Sequence, residues 1–171
     1  MITIKVPMSV NGVEELRKKI TKMKKLAPRM QQRFITKSLK YIKTKANEHL
    51  RESYSADSWY ERTGLLENSW EIFATEISGT LRNIAPYSAF VEYGTGLIGK
   101  HPMADVHGYQ YNVNNHQEGW LFSFENEVHF TKGLEGYWFV YHAVYNDYLM
   151  SGMARKLFNE AFEEVIGRAI K

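Results

Sequence analysis

Ile35, Leu39, Ile42, Ala46 and Leu50 step by four, three, four and four, and this stripe constrains the fold more than any other feature of the chain. The spacing sets all five on one helical face and predicts a long helix from about Pro28 to Ser53. Met30, Phe34 and Tyr41 widen the face to the breadth a helix needs to pack on a sheet. Burying it contributes about 2 kcal/mol per large side chain, so something must cover it.

The cover is legible on both sides. Upstream, Ile2, Ile4 and Val6 alternate as a short edge strand ended by Pro7. Asn11 then suits the cap of a first helix, with Glu14 and Glu15 near its positive end, until Pro28 breaks it or starts the next. Downstream, Tyr54 to Glu61 reads as a loop and Thr63-Gly64 as a turn. Segments 69–77 and 80–84 read as a hairpin turning at Ser78-Gly79, and 120–124 and 128–131 as two further strands. From about Trp138 to Ile170 the pattern is helical, with Ser151-Gly152 a break and Phe158, Phe162, Val165 and Ile166 an apolar face. The predicted class is α+β: a small, mostly antiparallel sheet on the long helix, with a C-terminal helix on its flank. One domain spans 1–171. It divides into a basic helical region (1–53), a hairpin and short helix (62–93), an extended loop or arm (94–119), and strands with the last helix (120–171). The arm is long for a compact domain, which argues that it has a task.

Between the hairpin and the arm lies a compact knuckle, Asn83 to Gly96. Pro86 suits a first helical position, where its missing N–H costs nothing. Gly94 suits the residue just past the end, where the backbone turns left-handed. The knuckle offers no nucleophile, phosphate cradle or metal-ligand set.

Its residues, Asn83, Pro86-Tyr87-Ser88 and Val91-Glu92-Tyr93-Gly94-Thr95-Gly96, resemble those of the head–tail joining (neck, tail-completion or minor tail component) proteins of long-tailed bacteriophages. Three further pieces stand in that family's order: Thr63-Gly64-Leu65-Leu66-Glu67-Asn68-Ser69, then Gly119-Trp120, then Thr131-Lys132-Gly133 followed by Phe139, Tyr141 and Ala143. The resemblance covers about Arg62 to Ala143 and departs in lacking the family's prolines near Glu135 and Trp138. It implies a structural virion protein of a phage or prophage, assembled in the bacterial cytoplasm and placed at the head–tail junction. The implied partners are copies of itself in a ring of about six, the portal or adaptor, and tail-tube or tail-terminator proteins. The resemblance implies no cofactor, metal, small-molecule substrate or membrane. Pro86, Tyr87, Glu92, Tyr93, Gly94, Thr95 and Gly96 would fix the start of the arm, and Tyr109, Tyr111 and Trp120 would contact a neighbour, as interfacial aromatics do.

Charge divides along the chain: residues 1–51 hold 14 Lys and Arg against 3 acids, and the remaining 120 hold 8 against 16. Opposed charge of this kind suits head-to-tail contact between copies. The plain alternative is a solvated basic helix. The alternative function is sequence-nonspecific binding of nucleic acid, including DNA passing through a ring, by Lys18, Lys22, Lys25, Arg29, Arg33, Lys37 and Lys40. Stacking aromatics are not interleaved among these, which argues against single strands.

Catalytic readings fare worse. His101, Asp105 and His107, with His116 nearby, offer metal-ligand chemistry without the tight paired spacing of zinc sites. Glu92 has no acid or nucleophile at a nameable spacing, so its carboxylate is better read as accepting hydrogen bonds from backbone or a neighbouring chain. Ser69 has no elbow, and Gly94-Thr95-Gly96 lacks the lysine of a phosphate loop. His129 and His142 read as packed or interfacial. With no cysteine there is no disulfide or thiolate chemistry, which fits a reducing cytoplasm. Met1 to Val10 has neither the basic start nor the apolar core of a signal peptide. The sequence points away from an enzyme.

Overall fold

The apolar stripe lies on a single helix, α1 (Val10–Glu52), of 43 residues and about 65 Å. The structure, a computed structural model, describes residues 9–53, 63–94, 120–124, 127–133 and 136–170, with backbone alone at 120 and 122–124. The expected edge strand at the N-terminus and the arm 95–119 lie outside these.

Two expectations for α1 are corrected. Ser9, not Asn11, is its cap: its Oγ accepts the Gly12 N–H at 3.2 Å from an extended backbone (φ −134°, ψ 160°). Glu14 and Glu15 consequently fall beyond the first turn, and Glu15 pairs with Lys19 at 3.1 Å. Nor does Pro28 divide the helix. An internal proline costs about 3 kcal/mol because a backbone bond is lost, and packing on both sides of Pro28 offsets that cost. Met23 and Leu26 before it, and Met30 and Phe34 after it, all belong to one apolar cluster.

Two short strands, β1 (Trp70–Ala74) and β2 (Gly79–Asn83), form an antiparallel hairpin against α1, with Ile72 opposite Leu81. A four-residue helical turn, α2 (Leu65–Asn68), precedes it. The chain reverses over Thr75 to Ser78, where the Thr75 N–H donates to the Ser78 carbonyl at 2.8 Å and the Thr75 Oγ1 accepts the Ser78 N–H at 3.0 Å. Gly79 is therefore a strand residue, not part of the turn. A Cβ there would collide with Ile35 Cγ2 and come within 2.8 Å of Leu39 Cδ1, so the missing side chain lets the hairpin settle on the stripe. The second hairpin, β3 (Trp120–Phe124) with β4 (Glu127–Thr131), pairs Leu121 with Phe130. The four strands form two separate two-stranded ladders, not the one sheet the sequence suggested.

Between the hairpins stands the short helix α3 (Ser88–Tyr93). The C-terminal region is helical as expected. The helix α4 starts at Phe139–His142 and continues as a π-helix over Ala143–Met150. Gly152, at φ 77°, makes the break. The helix α5 follows as Met153–Phe162, a π-helical stretch Glu163–Gly167 and a last turn Arg168–Ile170. Both pack on α1.

Two cores result, strung along one helix. The first joins Ile42, Ala46 and Leu50 to Leu66, Ala85, Val91, Phe139 and Ala143. The second joins Met30 to Ala161, Ile166 and Ile170. Polar ties reinforce both contacts. Tyr148 donates to Ser38 Oγ at 2.8 Å, His49 Nε2 lies 2.5 Å from Asp147, and Arg33 and Lys37 reach Glu164 at 2.9 and 2.6 Å. The outcome is a mixed α+β fold: a long N-terminal helix, a small antiparallel sheet and C-terminal helices on the long one.

Candidate functional site

The knuckle is built around Glu92, the last but one residue of α3, which is only 7% exposed. Its Oε2 accepts the Val140 N–H at 2.9 Å and its Oε1 the Tyr141 N–H at 3.0 Å. These are donors of the first turn of α4, which no helical carbonyl can satisfy. The carboxylate thus closes a helix start from outside the helix. Burial pushes the Glu92 carboxyl above its ordinary range, with the N–H groups of Val140, Tyr141 and Phe139 pulling the other way. The sequence expectation that this carboxylate accepts backbone hydrogen bonds is met within the chain.

The main chain fastens the same junction. Tyr137 N–H donates to the Val91 carbonyl at 2.8 Å and Trp138 N–H to the Glu92 carbonyl at 3.1 Å. A Cβ on Gly136 would stand 2.7 Å from the Glu92 oxygen and from the Tyr93 carbonyl carbon, so only glycine allows this approach. Trp138 takes φ 53°, left-handed for a residue with a Cβ. Its ring meets Tyr93 and Tyr141 edge-on at 5.6 and 5.8 Å, and its carbonyl accepts the His142 N–H at 2.9 Å. Proline has neither that φ nor that N–H, which explains why a proline cannot stand at 138.

Pro86 is not the first helical residue. The Ser88 N–H donates to the Ala85 carbonyl at 3.0 Å, and Tyr87 at φ −102°, ψ 6° closes a turn with Pro86 in its second place, where proline is favoured. Tyr87 packs against the first core. Gly94 donates to the Phe90 carbonyl at 2.8 Å and holds φ 82° with ψ −178°, a region open essentially to glycine alone. Thr95, Gly96, Tyr109, Tyr111, His101, Asp105, His107 and His116 lie outside the described residues. Trp120 opens β3 opposite Thr131, away from any strand of the knuckle hairpin.

The motif residues converge. Leu66 and Ala143 are buried in one core, and Asn83 donates to the Leu66 carbonyl at 2.7 Å while accepting the Ala85 N–H at 3.0 Å. Trp70 meets Phe139 edge-on at 6.1 Å and donates to Asn47 at 2.8 Å. Sequence reasoning missed Gly136, Trp138 and Asn47. Only Gly136, set among aromatic residues, carried a signal.

The basic residues divide into two groups. Arg33 and Lys37 are neutralised by Glu160 and Glu164 of α5. The bonds to Glu164 and Glu160 raise the Lys37 pKa, and those to Lys37 and Arg33 lower that of Glu164. Lys18, Lys22, Lys25, Arg29 and Lys40 are exposed. Part of the charge division along the sequence is thus satisfied inside one molecule, by the pairs of Arg33, Lys37 and Arg51 with acids beyond residue 51. No family model, curated protein or solved structure matches the chain. Among the described residues, no group of three or more His, Asp or Glu is placed to hold a metal ion. His142 lies beside Asn146, 2.9 Å from its Nδ2, with its ring 5.5 Å from that of His49.

Proposed function

We propose that the chain is a structural subunit of the head–tail joint of a tailed phage or prophage, working by contact with copies of itself and with adjoining virion proteins. The observation that carries this reading is the convergence of the family-like residues Leu66, Asn83, Glu92 and Ala143, far apart in sequence, on one buried junction. Their work there is fastening: capping, packing and close backbone approach. Exposed apolar side chains support the role of contact. Leu121, Val128 and Phe130 share one face of the second hairpin at 68, 70 and 58% exposure, and Leu149 and Met150 are exposed at the end of α4. A two-stranded ladder is marginal in water by itself, so such a face gains from being covered by a neighbour.

The proposed assembly is a ring of about six copies, seated between portal and tail-tube proteins. Native mass spectrometry of the purified full chain across a concentration series tests it. A closed oligomer that dissociates on Phe130→Glu, with unchanged circular dichroism, is expected. A monomer at every concentration, together with no binding to a portal or tail-tube ring, would end the proposal.

A further inference from the structure

Residues 17–29 of α1 hold seven Lys and Arg and no acid. Lys18, Lys22, Lys25 and Arg29 among them recur by four, three and four, which aligns them on one helical face over about 16 Å. All four are exposed, and none has an ion-pair partner among the described residues. That distinguishes them from Arg33 and Lys37, which α5 neutralises. Just past Arg29 the face opens into a groove of about 630 Å³ between α1 and α5, where Arg168 of α5 also stands. Glu164, already bonded to Arg33 and Lys37, is the acid on its wall. Toward the helix start a shallower groove of about 310 Å³ runs along Lys18, Lys22 and Lys25, with Glu14 and Thr21 beside them.

Among the described residues, no acid beyond α1 other than Glu164 lines this face. Among the described acids beyond α1, Glu67, Glu71, Glu160 and Glu164 each face a Lys or Arg of the same molecule, Asp147 lies 2.5 Å from His49, and Glu127 lies 4.0 Å from His129. Glu92 is buried on backbone donors. Of the described acids Glu76 and Glu163 remain, and they lie on different elements, so the described residues present no acidic face for a second copy to offer. Residues 10–33 include no aromatic side chain, so bases would have nothing to stack on. The ligand that fits is a regular row of phosphates on the outside of a duplex.

We infer that Lys18, Lys22, Lys25 and Arg29, continued by Arg168, bind the phosphate backbone of duplex nucleic acid without reading its sequence. The inference stands apart from the assembly proposal, because it concerns a face that needs no second copy. Five cations neutralising about five phosphates give a slope of log affinity on log salt of about −4.5, or roughly a 500-fold loss between about 50 and 200 mM salt.

The test is fluorescence anisotropy of the full chain with a short labelled DNA duplex of mixed sequence. Two double variants carry equal charge change. Lys18→Glu with Lys25→Glu alters the face; Lys132→Glu with Lys156→Glu alters exposed cations elsewhere. The first pair is expected to weaken binding at least about tenfold more than the second, with helix content unchanged in both. Equal losses for the two pairs would reduce the effect to net charge and overturn the site. So would a wild-type slope shallower than about −2, which requires no variant at all. Polyglutamate that binds as tightly as the duplex, and is lost in the same pair, would overturn nucleic acid in favour of an acidic protein partner.

Discussion

Replacing Glu92 by Ala removes the acceptor that holds two backbone N–H groups at the start of α4. Each buried donor left without a partner costs about 1–3 kcal/mol, so the gross loss is roughly 2–6 kcal/mol. Relief from burying a carboxylate offsets some of it, and a net loss of about 3 kcal/mol is expected. With a urea dependence of about 2 kcal/mol per molar, the unfolding midpoint falls by about 1.5 M. Glu92→Gln keeps one acceptor and turns an N–H₂ toward the second donor, so a smaller loss of about 1–2 kcal/mol is expected. The pH dependence separates the two effects. The folded-state pKa of Glu92 lies above its ordinary 4.5, so between those values the folded chain holds more proton than the unfolded one. Stability from this group therefore falls as pH rises through that window and recovers on acidification toward 4.5. The Gln variant lacks the slope. Urea midpoints followed by circular dichroism between neutral pH and that lower limit report both effects. A midpoint for Glu92→Ala within about 0.3 M of wild type would refute the fastening role.

Three other outcomes are expected. Leu50, 1% exposed, should lose about 2–5 kcal/mol as Leu50→Ala, and Leu50→Asp should unfold the chain more completely than Leu39→Asp, because Leu39 is only half-buried beneath Gly79. Gly79→Val drives side-chain atoms into Ile35 and Leu39 and should lower stability by about 1–3 kcal/mol, read by thermal unfolding; an unchanged melting temperature contradicts the hairpin's seat on α1. The pKa of Glu164 is depressed below 4.5, so its contribution is present above 4.5 and is lost as pH falls through the folded value, below the window of Glu92. A Lys37→Met and Glu164→Gln double-mutant cycle should give a small coupling at neutral pH that vanishes in acid.

What the sequence disclosed depended on whether the signal was local. The stripe from Ile35 to Leu50 is a periodicity, and periodicity survives folding: Ile42, Ala46 and Leu50 are buried where it put them. The hairpins and the break at Gly152 are turn chemistry, and they too are found, although the first strand ends at Ala74, three residues before its expected end at 77. Pro28 misled because the rule for proline is local, while the packing of Met23, Leu26, Met30 and Phe34 that keeps the helix going is not. The single four-stranded sheet failed for a related reason. Alternation reveals strands but not which strands pair across a long connection. In the knuckle, Glu92 was legible as a hydrogen-bond acceptor. That its donors would be Val140 and Tyr141 was not, because contacts of that range leave no spacing to read. The charge division is plain in the sequence, but its use is not. Glu160 and Glu164 face Arg33 and Lys37 across more than a hundred residues, so charge that reads as an offer to partners is partly spent within the chain.

Pro28 sits inside the stretch of α1 that packs with α5, with Met23 and Leu26 before it and Met30 and Phe34 after it. Lacking an amide hydrogen, it leaves a missing rung in the ladder at that point. Side chains gripped on both sides of that gap splint it, so the rod's continuity there is lent by its neighbour and not by its own backbone.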